Sequence, residues 1–280
     1  GIKANGALWA WGDNGSGQLG IGSLTSYSSP VQVGALTDWA SVSTGYQCTL
    51  ATKTDGTLWA WGSNAHSQLG TNNATNYSSP VQVGALTNWA SVAVAAANSG
   101  SVVATKTDGT LWAWGKNGFG QLGQNNLTTY SSPVQVGALT TWKNACSGDY
   151  FTVATATDGT LWAWGQGNSG QLGQTSTTSY SSPIQVGALT NWTVNAGTAG
   201  FAFCSVVKTD GTLWTWGINS TGQLGHSTYS NITSPKQVGA LTSWSNAVSR
   251  NQNSSFLSIT GQLFACGYSN QGALGLGATN

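Results

Sequence analysis

Short runs of β-branched, small apolar and aromatic residues alternate along this chain with polar segments of Gly, Asn, Ser, Thr and Asp, and the alternation repeats. In one period, Trp89-Ala-Ser-Val92, Ser101 to Lys106, Thr110 to Trp114 and Ser132 to Val136 read as four strands. Asp108-Gly109 separates the second from the third. An Asp-Gly pair between two β-rich runs predicts a tight hairpin with positive φ at its central residues.

The most regular stretch is Asp55-Gly-Thr-Leu-Trp-Ala-Trp-Gly62, which returns at Asn5–Gly12, Asp108–Gly115, Asp158–Gly165, Asp210–Gly217 and, with Phe264 and Cys266 in the tryptophan positions, Thr260–Gly267. The closing glycines of these six copies lie 50, 53, 50, 52 and 50 residues apart. Such a period belongs to propellers and solenoids. Four strands per period predict an all-β chain, a β-propeller of four-stranded antiparallel blades built from six repeat copies of about 50 residues. The approximate units are 1–38, 39–88, 89–141, 142–191, 192–243 and 244–280 within a single domain. The first copy lacks strand one and the last lacks a Ser-Pro-Val-Gln-Val strand. The reading is six slightly incomplete blades, or part of a larger ring.

All 15 tryptophans follow the repeat. Ten occupy the Trp-Ala/Thr-Trp strands, Trp59, Trp61, Trp112, Trp114, Trp162 and Trp164 among them, and five open strand one. Blades pack on both faces, so these positions are expected in the core rather than on a ligand platform.

Composition removes several function classes. Only 5% of residues are charged, with Lys plus Arg at 8, Asp plus Glu at 7 and a net charge of +1. No Glu occurs, and Arg250 is the single arginine. Phosphate-backbone binding needs Lys or Arg in number, so no nucleic-acid partner is expected. No apolar run is long enough to span a membrane as a helix, and no membrane insertion is expected. A surface of neutral hydrogen-bonding residues points to an extracellular or virion-surface setting. The absence of Met, with Gly1 in mid-repeat, suggests a processed chain or a part of something longer. Cys48, Cys146, Cys204 and Cys266 fall at different repeat offsets and form no CxxC pair, which favours buried free thiols over disulfides or zinc.

Catalysis is poorly supplied. Outside the hairpin turns the carboxylates are Asp13, Asp38 and Asp149, and the histidines are His66 and His226, in separate polar loops. No nucleophile triad or metal ligand set is visible. The expectation is no enzyme, no cofactor and no metal.

Asp-Gly-Thr-Leu-Trp-Ala-Trp-Gly-x-Asn, then Gln-Leu-Gly at Gln68–Gly70, Gln121–Gly123 and Gln171–Gly173, then Ser-Pro-Val-Gln-Val, resembles the regulator of chromosome condensation repeat over essentially the whole chain. The resemblance implies a propeller, typically seven-bladed, in a family whose roles include nucleotide exchange on a small GTPase with chromatin binding, ultraviolet perception and β-lactamase inhibition. The charge-dependent roles fit this chain poorly. Its nearly identical, Trp-rich copies look most like bacterial and bacteriophage members, which implies an adhesin, tail-fibre or other virion-surface role.

Differences between copies are unevenly placed. Gly-Ala-Leu-Thr-x-Trp, linking each copy to the next, is nearly unchanged from Gly34–Trp39 to Gly239–Trp244. The loops after strand one and after strand three vary, and both are expected at the same end of a blade, opposite the Asp-Gly turns. Loops on rigid scaffolds carry recognition. The candidate contacts are therefore Tyr46, Gln47, Asn98, Asp149, Tyr150, Phe151, Phe201, Arg250 and Asn251; neutral drift is the other reading. The expected function is a recognition or adhesion module, binding a protein or cell-surface glycan receptor or other virion or surface subunits. The alternatives are a purely architectural component and a soluble regulator or inhibitor.

Overall fold

The computed structural model describes residues 1–45, 47–95, 99–195, 198–269 and 274. The chain is an all-β propeller of antiparallel blades. The first copy gives a two-stranded sheet, β1 (Trp9–Gly12) and β2 (Tyr27–Gln32). The second gives β3 (Trp39–Gly45), β4 (Cys48–Lys53), β5 (Leu58–Gly62) and β6 (Tyr77–Gln82). The third gives β7 (Trp89–Val94), β8 (Ser101–Lys106), β9 (Leu111–Gly115) and β10 (Tyr130–Gln135). β11 (Trp142–Ser147), β12 (Phe151–Ala156), β13 (Leu161–Gly165) and β14 (Tyr180–Gln185) form the fourth. The fifth is β15 (Trp192–Thr193), β16 (Phe203–Lys208), β17 (Leu213–Gly217) and β18 (Ile232–Gln237), and the last is three-stranded, β19 (Trp244–Arg250), β20 (Asn253–Ser258) and β21 (Leu263–Gly267). Six sequence copies thus yield five blades of three or four strands, not six or seven. The first copy contributes only a strand pair, because Ile2 keeps a single bridge to Leu8 where a second strand would run.

The chain divides into two compact units, residues 1–118 with 127–140, and 119–126 with 141–280. The loop 119–126 leaves its own blade for the next because of a bond repeated at successive junctions. In the first unit, the Gln18 carbonyl accepts hydrogen bonds from Trp61 Nε1 at 3.0 Å and Thr49 Oγ1 at 2.8 Å, and the Gln68 carbonyl accepts from Trp114 Nε1 at 2.9 Å. In the second unit, the Gln121 carbonyl takes Trp164 Nε1 at 3.0 Å and Thr152 Oγ1 at 2.8 Å, and the Gln171 carbonyl takes Trp216 Nε1 at 2.9 Å. Each second tryptophan is therefore buried with its polar atom satisfied, as buried indoles require. Trp61, Trp114, Trp164 and Trp216 are the largest fully buried side chains.

The first tryptophan of each pair has a different role. Trp59, Trp112, Trp162 and Trp214 are half-buried and meet the strand-one tryptophans edge-to-face, as Trp89 and Trp112 do with centroids 6.1 Å apart. Lys106 Nζ lies 3.6 Å from the Trp112 centroid and 4.8 Å from that of Trp89, and Lys53 and Lys208 repeat the arrangement. These lysines serve the frame through cation–π attraction. Burial lowers the pKa of Lys106 and Lys208 from the usual lysine value. Trp11 departs from the core expectation: no Gln-Leu-Gly segment precedes it in this sequence, and it is exposed.

The Asp-Gly turn also differs from expectation. Gly56 N donates to the Lys53 carbonyl at 3.0 Å, so Thr54 and Asp55 are the central turn residues, and Asp55 does not adopt positive φ. Gly56, at φ 77°, is the bulge residue that follows, the arrangement of a longer hairpin loop rather than a two-residue one. Aspartate is selected by its side chain. Asp55 Oδ1 accepts from Thr57 N at 2.9 Å and Thr57 Oγ1 at 2.7 Å, and Thr57 Oγ1 in turn accepts from Trp59 Nε1 at 2.8 Å. The relay recurs from Asp108, Asp158 and Asp210 and explains the Asp-Gly-Thr-x-Trp spacing. These hydrogen bonds favour the ionised form and hold all four carboxyls below the usual aspartate range.

Candidate recognition surface

The loop after strand one is short. In the fourth copy Gly148 N donates to the Phe151 carbonyl at 2.8 Å, and in the fifth Gly200 N donates to that of Phe203 at 2.9 Å. Asp149-Tyr150 and Phe201-Ala202 are thus the two-residue tips. Phe151 is the first residue of β12, opposite Gly165 across the ladder, and it is completely buried. A residue's difference in register moves a side chain from one face to the other, which is why Phe151 serves the core and not the surface. Asp149 is buried as well. Neither of these two expected contacts presents its side chain to a partner.

The tips are held rigidly. The closing glycine Gly165 adopts positive φ, 102°, and a carbonyl of the tip passes directly over it. A Cβ on Gly165 would stand 2.4 Å from the Tyr150 oxygen, and Gln166 N takes that same oxygen at 2.8 Å. The tip of the fifth copy is pinned by Ile218 N to the Ala202 carbonyl at 2.9 Å, and that of the last by Tyr268 N to the Gln252 carbonyl at 3.2 Å. These pins use backbone atoms and so do not depend on which side chains the tip carries.

The second varied loop follows strand three and is organised by side chains that sequence reasoning passed over. Asn219 is fully buried; its Nδ2 donates to the Thr228 carbonyl at 2.7 Å and its Oδ1 accepts from Leu224 N at 3.0 Å. Asn14 and Asn64 repeat the pattern. The glutamine of Gln-Leu-Gly closes the same loop, as Gln121 Oε1 does by accepting from Phe119 N at 2.9 Å. Repetition of Asn and Gln at fixed offsets was the available signal.

Both varied loops do meet at one end. In the second unit, Phe119 of the loop after β9 packs on Tyr150 of the following copy with centroids 4.9 Å apart and planes tilted by 56°. Phe119 is 40% exposed and Phe201 44%. Phe201 N donates to the Asn251 carbonyl at 3.3 Å, and Thr221 Oγ1 donates to the Gln252 carbonyl at 3.3 Å, which ties the fifth and sixth tips together. Arg250 and Asn251 are exposed, Asn251 with φ 49°. In the first unit, Gln47 Oε1 accepts from Ser16 Oγ at 3.3 Å, and His66 lies against Gly100. Burial, then Lys116, lowers the His66 pKa from its ordinary value. Tyr46 and Asn98, also expected contacts, lie outside the described residues.

Little here suits acid–base chemistry or metal binding. Cys48, Cys146 and Cys204 are buried free thiols. Burial pushes Cys48 up to about 12 and Cys266 up to about 11. Among the described residues no group of three or more His, Cys, Asp or Glu side chains could hold a metal.

Against known proteins, the regulator of chromosome condensation (RCC1) repeat matches at residues 5–52, 55–104, 108–155, 158–204 and 210–249. Protein RCC2 from Mus musculus and from Homo sapiens is each 39% identical over 75 residues, 26% of this chain and 14% of theirs. The chain therefore matches only a small part of those relatives. Among solved structures, Prp20p from Saccharomyces cerevisiae, in a study that names its binding to Gsp1p and histones, superposes with a TM-score of 0.85 at 20% identity, covering 99% of this chain and 71% of that one. Human WBSCR16 superposes with a TM-score of 0.77 at 20% identity, covering 89% and 67%.

Proposed function

Because the chain belongs to the regulator of chromosome condensation repeat family, whose propellers typically serve protein interaction, we propose that it is a non-enzymatic recognition module that holds a protein partner through its varied loops. The observation that carries this reading is the Phe119–Tyr150 pair, Phe119 exposed and Tyr150 half-buried, together with exposed Phe201 and Arg250 on the tips of later copies: aromatic anchors and an arginine at the varied end. Those residue types dominate binding energy at protein interfaces. An extracellular or particle-surface setting belongs to the proposal on composition alone. The named relatives give no support to a virion fibre or a glycan receptor. Prp20p, with partners in Gsp1p and histones, supports a protein regulator instead.

The test is affinity selection from the source cells with the native chain and with Phe119→Ser, Tyr150→Ser, Phe201→Ser and Arg250→Ser combined. The native chain should retain a defined protein that the variant loses. Equal retention by both would end this assignment.

A further inference from the structure

The fifth copy departs from the others at three places that converge. The residue between the two tryptophans is Ala10, Ala60, Ala113 and Ala163 in the first four copies but Thr215 in the fifth. The residue after Pro in strand four is Val31, Val81, Val134 and Ile184, then Lys236. The residue after Gln-Leu-Gly is Ile21, Thr71, Gln124 and Gln174, then His226. The first two positions are cross-strand partners in each of the first five copies, Ala163 with Ile184 and Thr215 with Lys236. The third faces the same strand pair: Gln174 Nε2 donates to the Gln185 carbonyl at 3.0 Å, and His226 Nε2 lies 2.9 Å from Thr215 Oγ1.

Hydrogen-bond bookkeeping settles the histidine's tautomer. The Thr215 hydroxyl donates its one proton to the Leu224 carbonyl at 2.7 Å, so toward His226 it can only accept. Nε2 therefore carries a proton, and Nδ1 is an acceptor in the neutral ring and a donor once the ring is protonated. Lys236 is exposed and makes no ion pair among the described residues, unlike Lys53, which pairs with Asp38. Burial and then Lys236 depress the imidazole pKa. The nearby Cys266 thiol, pushed up to about 11, stays neutral and cannot offset that. A cation and a potential cation thus flank Thr215, at positions where the other copies keep a branched aliphatic residue and Ile, Thr or Gln.

We propose that Lys236 and His226, with Thr215 orienting the imidazole, form a site for a dianionic phosphate group, Lys236 Nζ and protonated His226 Nδ1 supplying two charge-assisted hydrogen bonds. A dianion matches the two positive charges and repays protonation of the ring. Affinity consequently rises as pH falls through the imidazole pKa of the complex, until the phosphate itself takes up a proton near its second pKa of about 6 and the dianion is lost. The group can be free phosphate or that of a phosphorylated partner.

The test follows the His226 ring by NMR while inorganic phosphate, and separately a phosphoserine peptide, is added to the full chain. Saturable shifts with a raised imidazole pKa are expected, from phosphate alone if the free ion is the ligand and far more strongly from the peptide if a partner supplies it. Lys236→Val and His226→Gln restore residues native to sister copies and should retain the melting temperature. Lys236→Val should weaken binding by about ten- to a hundredfold, read on the ring. His226→Gln, read by calorimetry, should remove the gain in affinity on lowering the pH and leave only the decline caused by protonation of the phosphate itself. No saturable shift from either probe, or binding undiminished in Lys236→Val, would overturn the assignment.

Discussion

The two ends of the second unit obey opposite rules. At the turn-and-link end, side chains make the architecture: Asp158 holds Thr160, and Thr160 holds Trp162. Changing any of these residues breaks a bond. At the varied end the tips are pinned through backbone, by the Tyr150, Ala202 and Gln252 carbonyls. Shared backbone geometry carries the repeat there, so Asp149-Tyr150, Phe201-Ala202 and Asn251-Gln252 differ in sequence. A fold that separates the two duties can keep one end constant while the other diverges.

The most damaging test of this division is at the blade junction. Trp164→Ala removes a fully buried indole and its bond to Gln121, and about 3–5 kcal/mol of stability should be lost, measured by denaturant unfolding. Next comes the closing glycine. Gly165→Ala places a Cβ against the Tyr150 carbonyl at positive φ, so a loss of about 1–3 kcal/mol is expected together with displacement of the tip, visible in the Tyr150 NMR signals.

A titratable loss should follow. The turn aspartates have folded-state pKa values below their unfolded ones. Their contribution is therefore present above the ordinary aspartate pKa and disappears as pH falls through the lowered values. A melting series should show stability declining below about pH 4, and Asp55→Asn with Asp158→Asn should flatten that slope. The smallest effect sharpens the comparison in the other direction. The fourth copy has Ala156 where the other four-stranded copies have Lys53, Lys106 and Lys208, and among the described residues no cation lies over Trp142 and Trp162, so Ala156→Lys should add about 0.5–1 kcal/mol.

Most of the constant end was legible in the sequence because its side chains are the structure. The 50-residue period, the tryptophan pairs and the Asp-Gly-Thr spacing each report a specific bond. What escaped depended on local geometry. Asp-Gly suggested a two-residue turn, but the hairpin takes Thr54 and Asp55 as its centre and uses Gly56 as a bulge. Phe151 looked like a loop aromatic, and one residue of register put it in the core. The roles of Asn219 and Gln121 were hidden by their ordinary appearance in a chain rich in polar residues. Blade count fell short of copy count because a copy needs three or four strands to make a blade. At the varied end the sequence could locate the surface but not choose its contacts, since exposure there follows from tip geometry that differs from copy to copy.

The most direct measurement compares the ends in one experiment, pairing partner retention with melting temperature for two sets of variants. One set changes the tips, Phe119→Ser, Tyr150→Ser, Phe201→Ser and Arg250→Ser; the other changes the half-exposed link residues Leu189→Ser and Leu241→Ser. The account predicts that the tip set loses the partner at an unchanged melting temperature and that the link set keeps it. Retention by the tip set with loss by the link set would contradict the account and assign recognition to the constant end.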